Sequence, residues 1–253
     1  MPSSRLLRNT LLGLLYLSCT PLVSAETLTV SAAASLTNAF RQLGQSFEAA
    51  NPADKIVFNF AASDVLVQQI AQGAPVDVLA TADEDAMDKA AAQQLLEAGS
   101  RKRFAGNSLV LVVPADASYQ MTTLAGLNQP TIQKMALGNP ASVPAGRYAK
   151  DGLTKAKLWP QLEKKAIYTQ SVRQSLDYVA RAEVEAGFVY VTDALLMKDK
   201  VKVVLRVPLD EPITYPIATI AQSQHKNLAS RFSTFVQSAS GQAILAKYGF
   251  TKP

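Results

Sequence analysis

The sequence predicts an α/β protein whose strands lie in largely parallel sheets with helices on both faces. Three observations lead there. Strand-like and helix-like segments alternate along the chain. Runs such as Leu109–Val113, and Val76–Ala80 apart from Asp77, are apolar on consecutive residues rather than at every second one, so they must be covered on both sides. Three strand-like runs also end in small residues and a serine at the point where a helical pattern begins.

Thr27–Val30 is the first strand. Ser35–Ala50 follows as a helix with Leu36, Phe40, Leu43 and Phe47 on one face, and Asn51-Pro52 ends it. Ile56–Phe60 is a strand, Ser63–Gln72 a helix stopped by Gly73, and Val76–Ala80 a third strand. Asp83-Glu84-Asp85 opens a third helix, where carboxylates suit the positive end of the helix dipole, and Gly99 closes it. Leu109–Val113 is a strand, and Pro114 to Val143 is rich in turn signals. Gly146–Lys157 is a helix, Ala166–Tyr168 a short strand, and Ser171–Glu183 a helix aligning Val172, Leu176, Val179 and Ala180. Gly187–Val191, Val201–Val207 and Tyr215–Ala221 are strands, and Leu228–Val236 and Gly241–Tyr248 are helices. The chain has no low-complexity linker. Two domains would be joined by short crossings near Asn107–Val113 and Tyr215–Ala221.

The junctions Ala32-Ala33-Ala34-Ser35, Ala61-Ala62-Ser63 and Ser171 after Ala166–Tyr168 have a common chemistry. A helix N-terminus carries unpaired N–H groups and a partial positive charge, so it can hold an anion without a charged side chain. Alanine lets an anion approach the backbone, and serine adds a hydroxyl donor. The same serines read equally well as N-caps.

Composition narrows the function. The chain has 253 residues, 48% hydrophobic and 18% charged, ordinary for a globular protein of one large or two modest domains. Residues 1–25 differ from the rest. Arg5 and Arg8 precede the apolar run Leu11–Leu17, and Val23-Ser24-Ala25 is a small-residue cleavage site, so this segment reads as a secretory signal peptide. The apolar run is well short of the ~20 residues of a membrane-spanning helix. The single cysteine, Cys19, lies inside it, which leaves the mature chain no disulfide, no thiolate nucleophile and no cysteine metal site. Cys19 as a lipid-attachment site is the alternative, but Tyr16-Leu17-Ser18 lacks the aliphatic residue expected three places before it. The net charge of +5 falls to +3 without Arg5 and Arg8. No basic run has interleaved aromatics, so nucleic acid is not an expected partner. One histidine, His225, and no Gly-x-Ser-x-Gly elbow leave little room for a hydrolase. His225 reads as a surface or capping residue. A P-loop and a dinucleotide fingerprint are absent.

In order along the chain stand Val30-Ser31-Ala32-Ala33-Ala34-Ser35-Leu36-Thr37-Asn38-Ala39, then Phe60-Ala61-Ala62-Ser63 with Leu66, Gln69-Ile70 and Gly73-Ala74-Pro75-Val76-Asp77. Thr81-Ala82-Asp83, Gly106-Asn107-Ser108-Leu109-Val110, Val143-Pro144-Ala145-Gly146-Arg147-Tyr148-Ala149-Lys150, Val189-Tyr190-Val191-Thr192-Asp193-Ala194 and Lys247-Tyr248-Gly249-Phe250 follow. This series resembles the periplasmic molybdate-binding proteins of ABC importers, within the type II periplasmic binding proteins. The resemblance spans nearly the whole mature chain and implies two α/β lobes with mixed, doubly wound sheets, joined by two crossing strands around a ligand cleft. It places lobe 1 at residues 26–107 plus 217–253 and lobe 2 at 108–216.

The resemblance implies capture of molybdate or tungstate by neutral donors and delivery to a membrane permease with its ATPase. It implies a monomeric, periplasmic binding protein rather than an enzyme, with no cofactor and no cation site. The ligand contacts it implies are Ser35 and Ser63 through hydroxyl and backbone, Ala145 and Val172 through backbone N–H, and Tyr190 through its phenol. A rigid ring of donors sized for a larger tetrahedral anion would fit sulfate loosely.

Two residues depart from the family pattern. Ser31 replaces a larger apolar residue, and Asp64 follows the second serine where Ser or Gly is more usual. A carboxylate beside a dianion repels it unless it points away or is paired. Asp64 therefore keeps sulfate, phosphate or another oxyanion open as the ligand. Arg147 and Arg173 are tempting anion partners, but after the contact residues they read as solvent-facing or bracing. Pro144 and Gly146 read as loop punctuation, and Tyr190 as a core tyrosine if it is not a ligand donor. A cleft-serine hydrolase using His225, and a sensor signalling to a membrane partner, are the other functions the sequence leaves open.

Overall fold

The computed structural model describes residues 26–253. The leader with Arg5, Arg8 and Cys19 lies outside the described residues.

In the first stretch, β1 (Thr27–Ala33) runs through a short 3-10 turn, Ala34–Leu36, into α1 (Thr37–Ala50). β2 (Lys55–Ala61), α2 (Ser63–Ala71), β3 (Val78–Ala80), α3 (Glu84–Ala92) and β4 (Lys102–Asn107) follow. The chain then enters a second unit with β5 (Leu109–Pro114), β6 (Met135–Gly138), α4 (Pro144–Lys155), α5 (Trp159–Leu162) and β7 (Ala166–Thr169). That unit continues with α6 (Val172–Ala180), β8 (Ala186–Tyr190), α7 (Val191–Leu196) and β9 (Val201–Arg206). β10 (Ile213–Thr219), α8 (Lys226–Gln237) and α9 (Ala239–Lys247) complete the chain.

The strands form two five-stranded mixed sheets, in the orders β2-β1-β3-β10-β4 and β7-β6-β8-β5-β9. The two follow one plan. Three parallel strands stand side by side, the next strand is antiparallel, and the edge strand is antiparallel to that one. Each sheet with its helices is one lobe. The chain crosses between lobes at Ser108, between β4 and β5, and returns through residues 207–212, so all of β10 belongs to the first sheet.

Periodicity explains the helices that frame the lobes. α1 buries Ala39, Phe40, Leu43, Gly44 and Phe47, the face expected from their spacing. The Phe40 ring packs 5.6 Å from Phe104 and edge-on to Phe232 of α8, which ties the C-terminal helices back onto the first lobe. Each such buried ring contributes about 1.5–3 kcal/mol by leaving water. β5 and β8 are buried along their whole length.

Local expectation fails in three places. The stretch expected to be turns contains β6, a central strand; Met135-Ala136-Leu137-Gly138 has no β-branched residue to announce it and is made a strand by β7 and β8 on either side. α3 stops at Ala92, not near Gly99, because Gln94 takes φ +57° and Leu96 bridges Ile220 at the sheet. The basic run Arg101-Lys102-Arg103, which by itself reads as a solvated face, begins the edge strand β4 at Lys102, and Arg101 and Arg103 pair with Glu84. The bonds from Arg101, Arg103 and Thr214 outweigh the burial of Glu84 and hold its carboxyl below the usual range.

Candidate functional site

The shared plan brings the same corner of each sheet to one point. In the first lobe, the chain leaves β1 and β2 into helical segments starting at Ala34 and Ser63. In the second, it leaves β6 and β7 into α4 and α6, starting at Pro144 and Val172. All four starts lie at the carboxyl ends of parallel strands, where open α/β sheets bind ligands. They meet at one small cavity lined by Ala33, Ala34, Ser35, Ala61, Ala62, Ser63, Ala82, Val143, Pro144, Ala145, Val172 and Tyr190. All five residues expected at the site are in that lining, and none of the lining side chains is charged. The cavity holds about 10 Å³, the room of roughly one water. A groove of about 430 Å³ shares Ala34, Ala61 and Ala62 with it and opens outward past Phe60, Tyr168 and Ser171.

The helix starts supply backbone donors. Ala145 is the second residue of α4, not part of a preceding loop, so its N–H has no partner within the helix. Pro144 is the first, where its missing N–H costs nothing. Gly146 is more than punctuation: a Cβ there would lie 1.8 Å from the carbonyl oxygen of Gly138, so only glycine lets α4 start against the end of β6. Val172 opens α6, and Ser171 is its N-cap, accepting from Gln174 N–H at 3.3 Å. The capping reading holds for Ser171. It does not hold for Ser35 or Ser63, whose hydroxyls bond outside their own helices.

The hydroxyls are oriented by their partners. Ser63 Oγ is fully buried and accepts from Ala82 N–H at 3.1 Å, which leaves its own hydrogen to donate. Ser35 Oγ lies 3.1 Å from the Tyr215 hydroxyl. Asn107 fixes the direction of that bond. Its carbonyl oxygen accepts from Ser108 N–H, and its amide donates to Thr192 Oγ1 at 2.9 Å and to the Tyr215 oxygen at 3.2 Å. Tyr215 then donates to Ser35, and the Ser35 hydrogen is free for the cavity. Tyr190, at the end of β8, donates to Ala82 O across the lobes at 3.4 Å. Burial, aided by neighbouring ionisable groups, pushes both phenols well above the ordinary tyrosine range, so both remain donors.

Charge stays outside the cavity and clasps its two sides. Arg173, next to Val172, donates to Ser35 O at 3.1 Å and Asn38 Oδ1 at 2.9 Å in the other lobe. Its Nε lies 2.5 Å from Asp193, and Asp193 accepts from Tyr190 N–H at 3.3 Å. Arg147, two residues after Ala145, pairs with Asp83 and Asp64 of the first lobe. Of the two readings the sequence left, solvent-facing or bracing, both arginines take the second, and they brace across the lobes rather than along their own loop. Asp64 is paired with Lys89 at 2.5 Å as well, and it does not line the cavity. The repulsion that Asp64 threatened is thereby answered. Burial raises the Asp83 carboxyl above its usual range despite the guanidinium beside it. For Arg147 burial works against the charge, but the two carboxylates outweigh it and raise its pKa further. His225 sits at the start of α8, 3.8 Å from Glu26, and is not in the lining.

Sequence reasoning missed Tyr215, Asn107 and Asp193 as parts of this site. The visible signal was a tyrosine in the apolar run Ile213–Thr219 and an acid three residues after Tyr190. Neither reveals a partner in another part of the chain.

The family model for bacterial extracellular solute-binding proteins matches residues 28–251. The chain is 38% identical over 227 residues to a putative ABC transporter substrate-binding lipoprotein, YvgL, of Bacillus subtilis, covering 89% of this chain and 86% of that one. It is 35% identical over 230 residues to the molybdate-binding protein ModA of Haemophilus influenzae, covering 88% and 89%. Among solved structures, the substrate-binding domain of a putative molybdenum ABC transporter from Clostridium difficile superposes with a TM-score of 0.69 at 34% identity, over 90% of this chain and 99% of that one. With two mixed sheets around a shared cavity and a family match over nearly all the described residues, this chain belongs to the bacterial extracellular solute-binding proteins.

Proposed function

We propose that this protein captures molybdate, and tungstate with it, between its lobes outside the cytoplasm and delivers it to an ABC importer. One observation carries the reading: the cavity is built from both lobes, its lining holds hydroxyls and helix-start N–H groups, and no charged side chain enters it. A dianion held by fixed neutral dipoles needs no counter-ion in the site and loses little to reorganisation. The names of the relatives supply the anion. Ser35, Ser63, Ala145, Val172 and Tyr190 are the proposed contacts, Tyr190 by turning its one phenolic hydrogen from Ala82 O to the anion, with Ser35 and Ser63 given by one lobe and the others by the second. A four-oxygen anion needs more room than one water, so the cavity widens around it on binding. The protein acts as a monomer and performs no chemistry on its ligand.

Phosphate loses its main support, because Asp64 is occupied by Lys89 and Arg147 and is not offered to a protonated oxyanion. Calorimetric titration of residues 26–253 with molybdate, tungstate, sulfate and phosphate tests the proposal. Tight one-to-one binding of the first two with silence from the others is expected. Binding of sulfate or phosphate alone would overturn the ligand, and silence with all four would overturn the function.

A further inference from the structure

Arg147 stands in the first turn of α4, on the turn that presents Ala145. Its side chain leaves its own lobe. Nη2 reaches Asp83 Oδ2 at 2.5 Å and Asp64 Oδ2 at 2.8 Å, and Nε donates to Asp83 Oδ2 at 3.0 Å. Nη1 lies 3.4 Å from Pro140 O, which steadies the guanidinium from its own side. Both acids sit on helix starts of the first lobe. Asp64 follows Ser63 in α2, and Asp83 is the N-cap of α3, one residue after Ala82, whose N–H holds Ser63. The side chains of Asp83 and Asp64 are only 4% and 6% exposed, and that of Arg147 is 16% exposed.

We propose that Arg147 is a positioning residue for ligand capture, latching the closed lobes through Asp83 and Asp64 so that ion pair and bound anion hold the cleft shut together. The proposal rests on the anion-binding reading above. Arg147 is carried by one lobe and both acids by the other, so opening the cleft parts them and the latch exerts no hold in the open form. In the closed form the guanidinium compensates two carboxylates that are almost out of water and lie near the turns meant to hold a dianion. Removing it leaves those carboxylates facing one another with Lys89 as the remaining cation on Asp64. Loss of one member of a buried ionic cluster is costly because the other charges stay buried. Here the penalty falls on the closed form alone, and it appears as faster release of the anion. Asp64 is thus part of the capture device, which gives the departure from the usual Ser or Gly after Ser63 a physical role.

The test measures molybdate affinity, release rate and ligand-free thermal stability for the parent, Arg147→Gln, Arg147→Lys and the triple variant Asp64→Ser/Asp83→Asn/Arg147→Gln. Asparagine at 83 retains the ability to cap α3. Arg147→Gln is expected to bind about 100-fold more weakly, with most of the change in release and little in ligand-free stability. Arg147→Lys, a point charge without the fork, should fall between. The triple variant should recover a large part of the loss, because the stranded carboxylates are gone. Parental affinity in Arg147→Gln would overturn the proposal. So would a loss that the triple variant does not repair, or one that tracks a fall in ligand-free stability, since either marks a brace within one lobe. Absence of molybdate binding by the parent would instead overturn the anion reading itself.

Discussion

Replacing Gly146 by alanine tests whether the start of α4 is part of the binding machinery. The new Cβ would stand 1.8 Å from Gly138 O, 2.5 Å from Gly138 C and 3.1 Å from Gly138 Cα. All three are backbone atoms at the end of β6, so no side chain can rotate out of the way. Restoring a tolerable contact requires the first turn of α4 to retreat by roughly 1.2 Å. A hydrogen bond of about 2.9 Å from Ala145 N–H to a bound anion would then stretch to about 4 Å and be lost. Such a bond to a charged acceptor is worth about 1.5–3 kcal/mol, which is about 10- to 150-fold in affinity. The overpacking itself should cost about 1–3 kcal/mol of folding stability. Calorimetric titration with molybdate and thermal unfolding with and without it read both effects. Gly152→Ala on the same helix is the comparison, because its Cβ would press on the buried Val207 side chain at 2.7 Å but on no backbone atom closer than Pro208 O at 3.9 Å, so it should cost stability without moving the start of α4. If Gly146→Ala bound molybdate as tightly as the parent, with an unchanged melting temperature, α4 would not be placing a ligand donor and the reasoning would fail.

Ser63→Ala removes a proposed donor and leaves Ala82 N–H without its acceptor, so affinity should fall at least about 10-fold and stability by about 1–3 kcal/mol; titration and denaturant unfolding check the two separately. Arg173→Gln strips the cation from fully buried Asp193, so unlike Arg147→Gln it should lower ligand-free stability, by about 3–5 kcal/mol, visible in chemical unfolding. Burial raises the phenols of Tyr190 and Tyr215 well above the unfolded value of 10.0. Below that pH both states keep the phenolic protons and nothing is lost. Above it the unfolded chain sheds protons that the folded one retains, so stability should fall with rising pH by about 1.4 kcal/mol per unit for each phenol. Unfolding at about pH 9 and pH 11 measures the slope, and Tyr190→Phe should make it shallower.

The sequence by itself determined what short-range chemistry encodes. The 3.6-residue spacing of Leu36, Phe40, Leu43 and Phe47 marked α1. The small residues before Ser35 and Ser63 marked helix starts able to face an anion, whereas Pro144 and Gly146 read only as punctuation until the structure placed them in the first turn of α4. Each of these signals lies within one turn or one strand, so it survives without knowledge of the fold. Tertiary structure decided everything that depends on residues far apart. β6 is a strand because β7 and β8 flank it, since its own four residues carry no strand signal. Tyr215 orients Ser35 from 180 residues away. Asp64 turns from a threat to the anion into half of a latch only because Arg147, carried on the other lobe, meets it when the lobes come together. A carboxylate's effect depends on which cation lies within a few ångströms and how much water remains, and both are fixed by the packing of two lobes rather than by neighbours in the chain.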